Sequence, residues 1–109
     1  MKVHVRSAAN RDVIAIAKYY EGERLGLGRD FHLEVEAIFR LFCHQPHLGQ
    51  GIDGHAGLRG FQLKRFPYQV IYRLTNDAVT ILAVVYQGRR PASWRDRVQE
   101  RPAAYAIAA

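Results

Sequence analysis

At 109 residues, with 49% apolar and 24% charged positions, the chain has the length of one domain, residues 1–109, and a globular rather than a disordered composition. The formal charge is +6, and all of it lies between Leu58 and Arg97, where eight Lys or Arg residues face only Asp77 and Asp96, so the natural partners are anionic. A single cysteine, Cys43, excludes an internal disulfide framework, the longest apolar run (Val79 to Tyr86) is too short for a bilayer, and no secretory signal pattern opens the chain, which together predict a cytoplasmic protein with no membrane partner.

Lys2 to Arg6 alternates Val3 and Val5 with polar neighbours, the pattern of a short half-buried strand. Ser7 is placed to cap a helix, its hydroxyl accepting a first-turn amide. Ala9, Val13, Ile16, Ala17 and Tyr20 then recur at helical spacing and form one buried stripe. Three glycines between Gly22 and Gly28 stop that helix. A second helix is predicted from about Arg29, with Phe31, Val35, Ile38, Phe39 and Phe42 on its apolar face and Glu34, Glu36 and Arg40 toward solvent. Pro46 ends it, because proline lacks the amide and restricts the residue before it. The bulk of the phenylalanines predicts that this helix packs directly on a sheet.

His47 to Gly57 is glycine-rich and poor in apolar residues, and reads as a mobile loop. Strands are predicted over about Leu58 to Phe66, Gln69 to Leu74 and Ala78 to Tyr86, with turns at Pro67 and at Thr75-Asn76-Asp77. Pro91 to Arg97 fits a short helical turn that packs Trp94 on the sheet edge. The tail, residues 98–109, fits either a small apolar strap or a frayed end. The resulting order, β-α-α-β-β-β, is an α+β domain with a helical hairpin on one face of a small, mainly antiparallel sheet. The other face is then expected to be partly open and to carry the basic residues.

Arg59, Lys64, Arg65, Arg73, Arg89 and Arg90 fit a binding surface or ordinary solvated charge, and the segregation of the net charge favours the surface. Alternation puts Val70 and Tyr72 on one face of their strand and Ile71 and Arg73 on the other. Tyr72 suits the core, whereas Tyr86, at a strand end near Arg89, suits either packing or contact with a partner. His44 and His47 are three residues apart, but Pro46 interrupts any helix between them and no cysteine or carboxylate pair completes a metal site. Cys43, beside Phe42, reads as a small buried hydrophobe. No nucleotide fingerprint or Ser-His-Asp pattern is present, so no metal and no cofactor is expected.

Four segments taken in order, SAANRDVIAIAKYY, HQPHLGQ, RGFQLKRFPYQVIYRL and VTILAVVYQGRRPASW, resemble the RelE/ParE superfamily of toxins from bacterial type II toxin–antitoxin systems. The resemblance covers nearly the whole chain and implies a compact toxin held inactive by a separate antitoxin, whose C-terminal segment masks the basic surface. RelE-like members cut mRNA on the ribosome, a 2′-hydroxyl attack that needs cations around the phosphorane and a group to move the proton. Where such proteins carry an arginine after Gly-Tyr, this chain has Pro67-Tyr68-Gln69, and near their C-terminal tyrosine it has Trp94-Arg95. A nuclease reading would therefore fall to Lys64, Arg65, Arg73, Tyr86 and Arg89.

ParE-like members instead block DNA gyrase and need no catalytic set. Their pattern is matched here by Arg59, by Tyr72-Arg73, and by Val84-Val85-Tyr86 followed by Arg89, with Tyr86 standing where histidine is commoner. That exchange keeps a hydrogen-bonding aromatic and removes a group that titrates near neutral pH. The resemblance thus implies a gyrase-binding toxin of the ParE kind. The alternatives are a ribosome-dependent mRNA endonuclease and an interaction module without toxicity.

Overall fold

A computed structural model describes residues 1–87 and 103–108. In chain order the elements are β1 (Lys2–Arg6), α1 (Ser7–Glu23), α2 (Leu27–His44), β2 (Gln50–Ile52), β3 (His55–Gln62), β4 (Tyr68–Leu74), β5 (Ala78–Tyr86) and β6 (Ala103–Ile107). The strands form one sheet in the order β2-β3-β4-β5-β1-β6. β1 and β5 run parallel, and every other pair of neighbours is antiparallel. The predicted β-α-α-β-β-β order is present, with β2 and β6 added at the two edges.

Both helices cover one face. Val3 and Val5 of β1, Val70 and Tyr72 of β4 and Val79 and Ile81 of β5 meet Val13 of α1 and Phe31, Val35, Phe39 and Phe42 of α2 in the main core. Phe42 lies against the Tyr72 ring with centroids 4.3 Å apart, and Phe31 meets Phe66 edge-on at 5.2 Å. A fully buried aromatic of this kind contributes about 1.5–3 kcal/mol by leaving water. Cys43 is buried, and among the described residues its thiol reaches only the Phe39 and Ile107 carbonyls at 3.9 Å, as expected of an apolar residue.

Several expectations are corrected. Ser7 does not cap α1: it is the first helical residue, and Arg6 holds the cap position without a side-chain bond. β1 runs into α1 with no linker, so the last extended residue becomes the cap. The stretch read as a mobile loop contains β2, a turn at Asp53-Gly54 and the start of β3, with Gly51 opposite Arg59 and Ile52 opposite His55. Gly54 takes φ 78°, the left-handed conformation that such a turn requires. The tail forms a strap: β6 pairs antiparallel with β1, Val3 opposite Ile107, and Ile107 is buried. The helical turn expected over 91–97, with Trp94, lies outside the described residues.

The sheet face away from the helices is not open where it was expected to be. Leu58, Ile71, Leu82 and Ala83 form a second buried cluster there, with Ile52 and Val85 packed beside it. The register slips between Ile71 and Tyr72, so that Ile71 pairs with Ala83 and Tyr72 with Ile81. This bulge gives the far face two consecutive β5 side chains, Leu82 and Ala83.

The tip of the helical hairpin is tightly built. The Glu21 carboxylate accepts the N–H groups of Gly26 and Gly28 at 3.0 Å, satisfying amides that α2 leaves unpaired at its start. Gly28 packs directly under α1, where a Cβ would stand 2.4 Å from the Ala17 carbonyl.

Candidate functional site

The basic residues expected to share one surface are divided by the sheet. Arg59 of β3 lies opposite Tyr72 of β4, on the helix side. Its guanidinium donates to the carbonyls of Gly49 at 2.6 Å and His47 at 3.2 Å, in the link from α2 to β2. The Tyr72 hydroxyl holds the same link: it accepts the Gly49 N–H at 2.8 Å and donates to the Pro46 carbonyl at 2.7 Å. Burial pushes the Tyr72 phenol above its ordinary value, while the Gly49 amide and the Arg59 charge pull it back. Arg59 is thus occupied with backbone.

Arg73 is the next residue along β4 and faces the other way. It stands in a row with Leu58 and Thr80 on the far side of the sheet, half-buried. Among the described residues, no side chain forms a hydrogen bond or ion pair with it.

Lys64 and Arg65 occupy the turn between β3 and β4, beside α2. Their backbone N–H groups both donate to the Glu34 carboxylate, at 2.9 and 3.4 Å. The Arg65 side chain lies 3.5 Å from Asp30 and 5.5 Å from the centre of the Phe66 ring, and both members of the ion pair are well exposed. A pair in that position is worth about 0–1 kcal/mol, so it leaves Arg65 available to a partner. Glu34, read from the sequence as a solvent residue, is therefore the anchor of this turn.

Tyr86 ends β5 opposite Tyr68 and is 52% exposed. Its ring meets Tyr68 edge-on at 5.5 Å, and Tyr68 in turn meets Tyr20 of α1 at 6.1 Å. Tyr20 is pushed up to about 12, mainly by burial and then by its contact with Tyr68. The four tyrosines 19, 20, 68 and 86 form an aromatic end to the sheet, and no histidine or carboxylate is bonded to the Tyr86 hydroxyl among the described residues. Arg89 and Arg90 lie outside the described residues.

The described residues offer no group of three or more His, Cys, Asp or Glu side chains that could hold a metal ion. No helix among them is long and apolar enough to cross a membrane. What they present is three separate features: a backbone clamp at Arg59 and Tyr72, a cationic turn at Lys64 and Arg65, and an exposed tyrosine end. No signal within one element could reveal the first two, because the partners are 10 to 31 residues apart in the chain.

The comparisons with known proteins agree with this architecture. The model of one protein family, "ParE toxin of type II toxin-antitoxin system, parDE", matches residues 3–91. No curated protein sequence matches the chain. Among solved structures, one titled "Chromosomal ParDE TA system from P. aeruginosa" superposes with a TM-score of 0.66 at 19% identity, covering 79% of this chain and 95% of that one. At that identity the superposition speaks for the fold, and the family match speaks for descent. A two-helix hairpin on a mixed six-stranded sheet, matched over most of its length, belongs to the ParE toxin family of type II toxin–antitoxin systems.

Proposed function

We propose that this chain is a cytoplasmic toxin that arrests growth by binding DNA gyrase and is neutralised by a cognate antitoxin. The observation that carries the reading is the division of the cations. Cutting RNA would need several charges around one phosphate and a proton-transfer group beside them. Among the described residues, Arg59 is bonded to carbonyls, Arg73 is on the opposite face, and Lys64 and Arg65 are beside α2. Dispersed groups of this kind suit recognition of a protein surface better than phosphate chemistry. Lys64, Arg65, Arg73, Tyr86, Arg89 and Arg90 are the residues proposed to meet the target or the antitoxin, with Arg59 supporting them from beneath.

Supercoiling and cleavage of plasmid DNA by gyrase, with ATP and the purified protein, tests the reading. Lost supercoiling with trapped linear DNA is the expected result. Unaffected gyrase together with cleaved mRNA on purified ribosomes would replace it with the endonuclease reading. Soluble, folded protein that fails to arrest growth on induction would leave an interaction module.

A further inference from the structure

The outer side of α2 carries an apolar row that nothing among the described residues covers. Leu33, Ala37 and Leu41 recur every four residues, so they lie in line along the helix, away from the Phe31, Val35, Phe39 and Phe42 side that packs in the core. Leu33 is 52% exposed and Leu41 37%, and Ala37 between them is exposed as well. Single exposed leucines are ordinary, but two in line across an alanine make a seam. A cleft of about 480 Å³, walled by Ala37, Ile38, Leu41 and Phe61, runs along one side of it.

The charges of α2 change sign along the helix. From Asp30 to Glu36 there are three carboxylates and no Lys or Arg, whereas from Ala37 to His44 there are Arg40 and His44 and no carboxylate. Ala37 is the midpoint: Leu33 and Leu41 lie four residues to either side of it, and Asp30 and His44 seven. An antiparallel copy of α2 centred there sets Leu33 of each copy beside Leu41 of the other, and Asp30 beside His44, while opposing the two helix dipoles. Either form of His44 can donate to the Asp30 carboxylate. A parallel copy would instead set Asp30 beside Asp30 and Arg40 beside Arg40. The small side chain of Ala37 at the crossing lets the two axes approach toward the short end of the usual range, about 8–10 Å. Arg29, Lys64 and Arg65 also border the acidic half, and Arg65 makes an exposed contact with Asp30 at 3.5 Å, so the register rests on the seam residues rather than on summed charge.

We propose that the Leu33–Ala37–Leu41 face of α2 is a homodimer interface, on which a second copy of this chain docks antiparallel across a two-fold axis at Ala37. The leucines supply the apolar centre, Asp30 and His44 close its two ends, and the cleft beside Leu41 is open to a side chain of the partner copy. The pairing is independent of what the toxin acts on.

Sedimentation velocity of the purified protein over a concentration series tests the interface. One face of an 18-residue helix, about 27 Å long, is at the small end of stable interfaces, so dimers are expected from about 10 µM upward. Leu41→Asp should weaken association at least about tenfold, and Leu33→Asp, also at an exposed position, should do the same if the first variant does not fold. Two charge variants test the register. His44→Glu sets a carboxylate against the partner's Asp30, and Asp30→Lys takes away the carboxylate that His44 meets, so each alone should associate more weakly than the parent. Mixed in equal amounts they should form a heterodimer, because the new carboxylate of one then meets the new ammonium of the other. A parent protein still monomeric at about 500 µM overturns the proposal, and the seam then belongs to a different partner. Dimers that survive both leucine variants overturn it too, since they form elsewhere on the molecule. Charge variants that do not combine overturn the antiparallel pairing.

Discussion

Arg59 and Tyr72 stand opposite each other in the β3–β4 ladder and close on Gly49 from two sides, one taking its carbonyl at 2.6 Å and the other its N–H at 2.8 Å. A cation that looks like part of a surface is thus a fastening for the chain between α2 and β2. Tyr72→Phe leaves the Gly49 amide and the Pro46 carbonyl without a partner and is expected to cost about 1–3 kcal/mol. Arg59→Ala should cost a similar amount. Because both act on Gly49, the double variant should lose less than the sum, with a coupling of about 0.5–3 kcal/mol. Urea unfolding of the four proteins measures this. Strict additivity would mean that the two side chains hold the link independently.

The main outlines of this fold follow from local pattern. Val79 to Val84 is a nearly continuous apolar run and Phe31 to Phe42 carries a helical period, and both β5 and α2 lie where those patterns put them. β2 escaped because three residues, two of them Gln and Gly, have little strand preference of their own, and their pairing with Arg59 and Gly60 supplies the structure. Asp53-Gly54 was the available signal, a dipeptide that favours two-residue hairpins. β6 is short and mostly alanine, so only its partner β1 defines it. The site was less legible than the fold. Net charge identified the basic segment, but charge counts carry no face, and a one-residue step from Tyr72 to Arg73 crosses the sheet.

Two glycines of the hairpin should respond to alanine in opposite directions. A Cβ at Gly28 would lie 2.4 Å from the backbone of Ala17, so Gly28→Ala must force α1 and α2 apart, an overpacking cost of about 1–3 kcal/mol. Gly22 lies inside α1 with nothing within 4 Å of a Cβ, so Gly22→Ala should stabilise by about 0.5–1 kcal/mol through helix propensity. Thermal unfolding of both variants decides it. Equal effects of the same sign would show that the hairpin is not packed as closely as described.

Antitoxin affinity should fall as salt rises. Exposed charges such as Lys64 and Arg65 are screened over about 8 Å at physiological ionic strength. The Lys64→Ala, Arg65→Ala double variant should bind more weakly at low salt and show a flatter salt dependence than the parent. Titration calorimetry across a salt series reads both. An affinity that ignores salt would mean that the partner holds this surface through apolar packing around Leu41 and Phe61.

Alkali should loosen the fold before it ionises its partly buried phenols. Tyr20 and Tyr105 are both pushed up to about 12 from 10.0, each chiefly by burial, with Tyr68 adding to the first and Glu36 to the second. The unfolded chain gives up those protons near the ordinary value, so their contribution is complete below pH 10 and lost as pH rises toward 12. Tyr105 also ties β6 to α2, its hydroxyl lying 3.5 Å from the Glu36 carboxylate, so the strap should release first. Tyr105→Phe removes one of the two titrations while keeping the half-buried ring. Its unfolding free energy, measured by urea at steps from pH 9 upward, should decline less steeply than that of the parent. Identical slopes would show that Tyr105 ionises as freely in the folded protein as in the unfolded one.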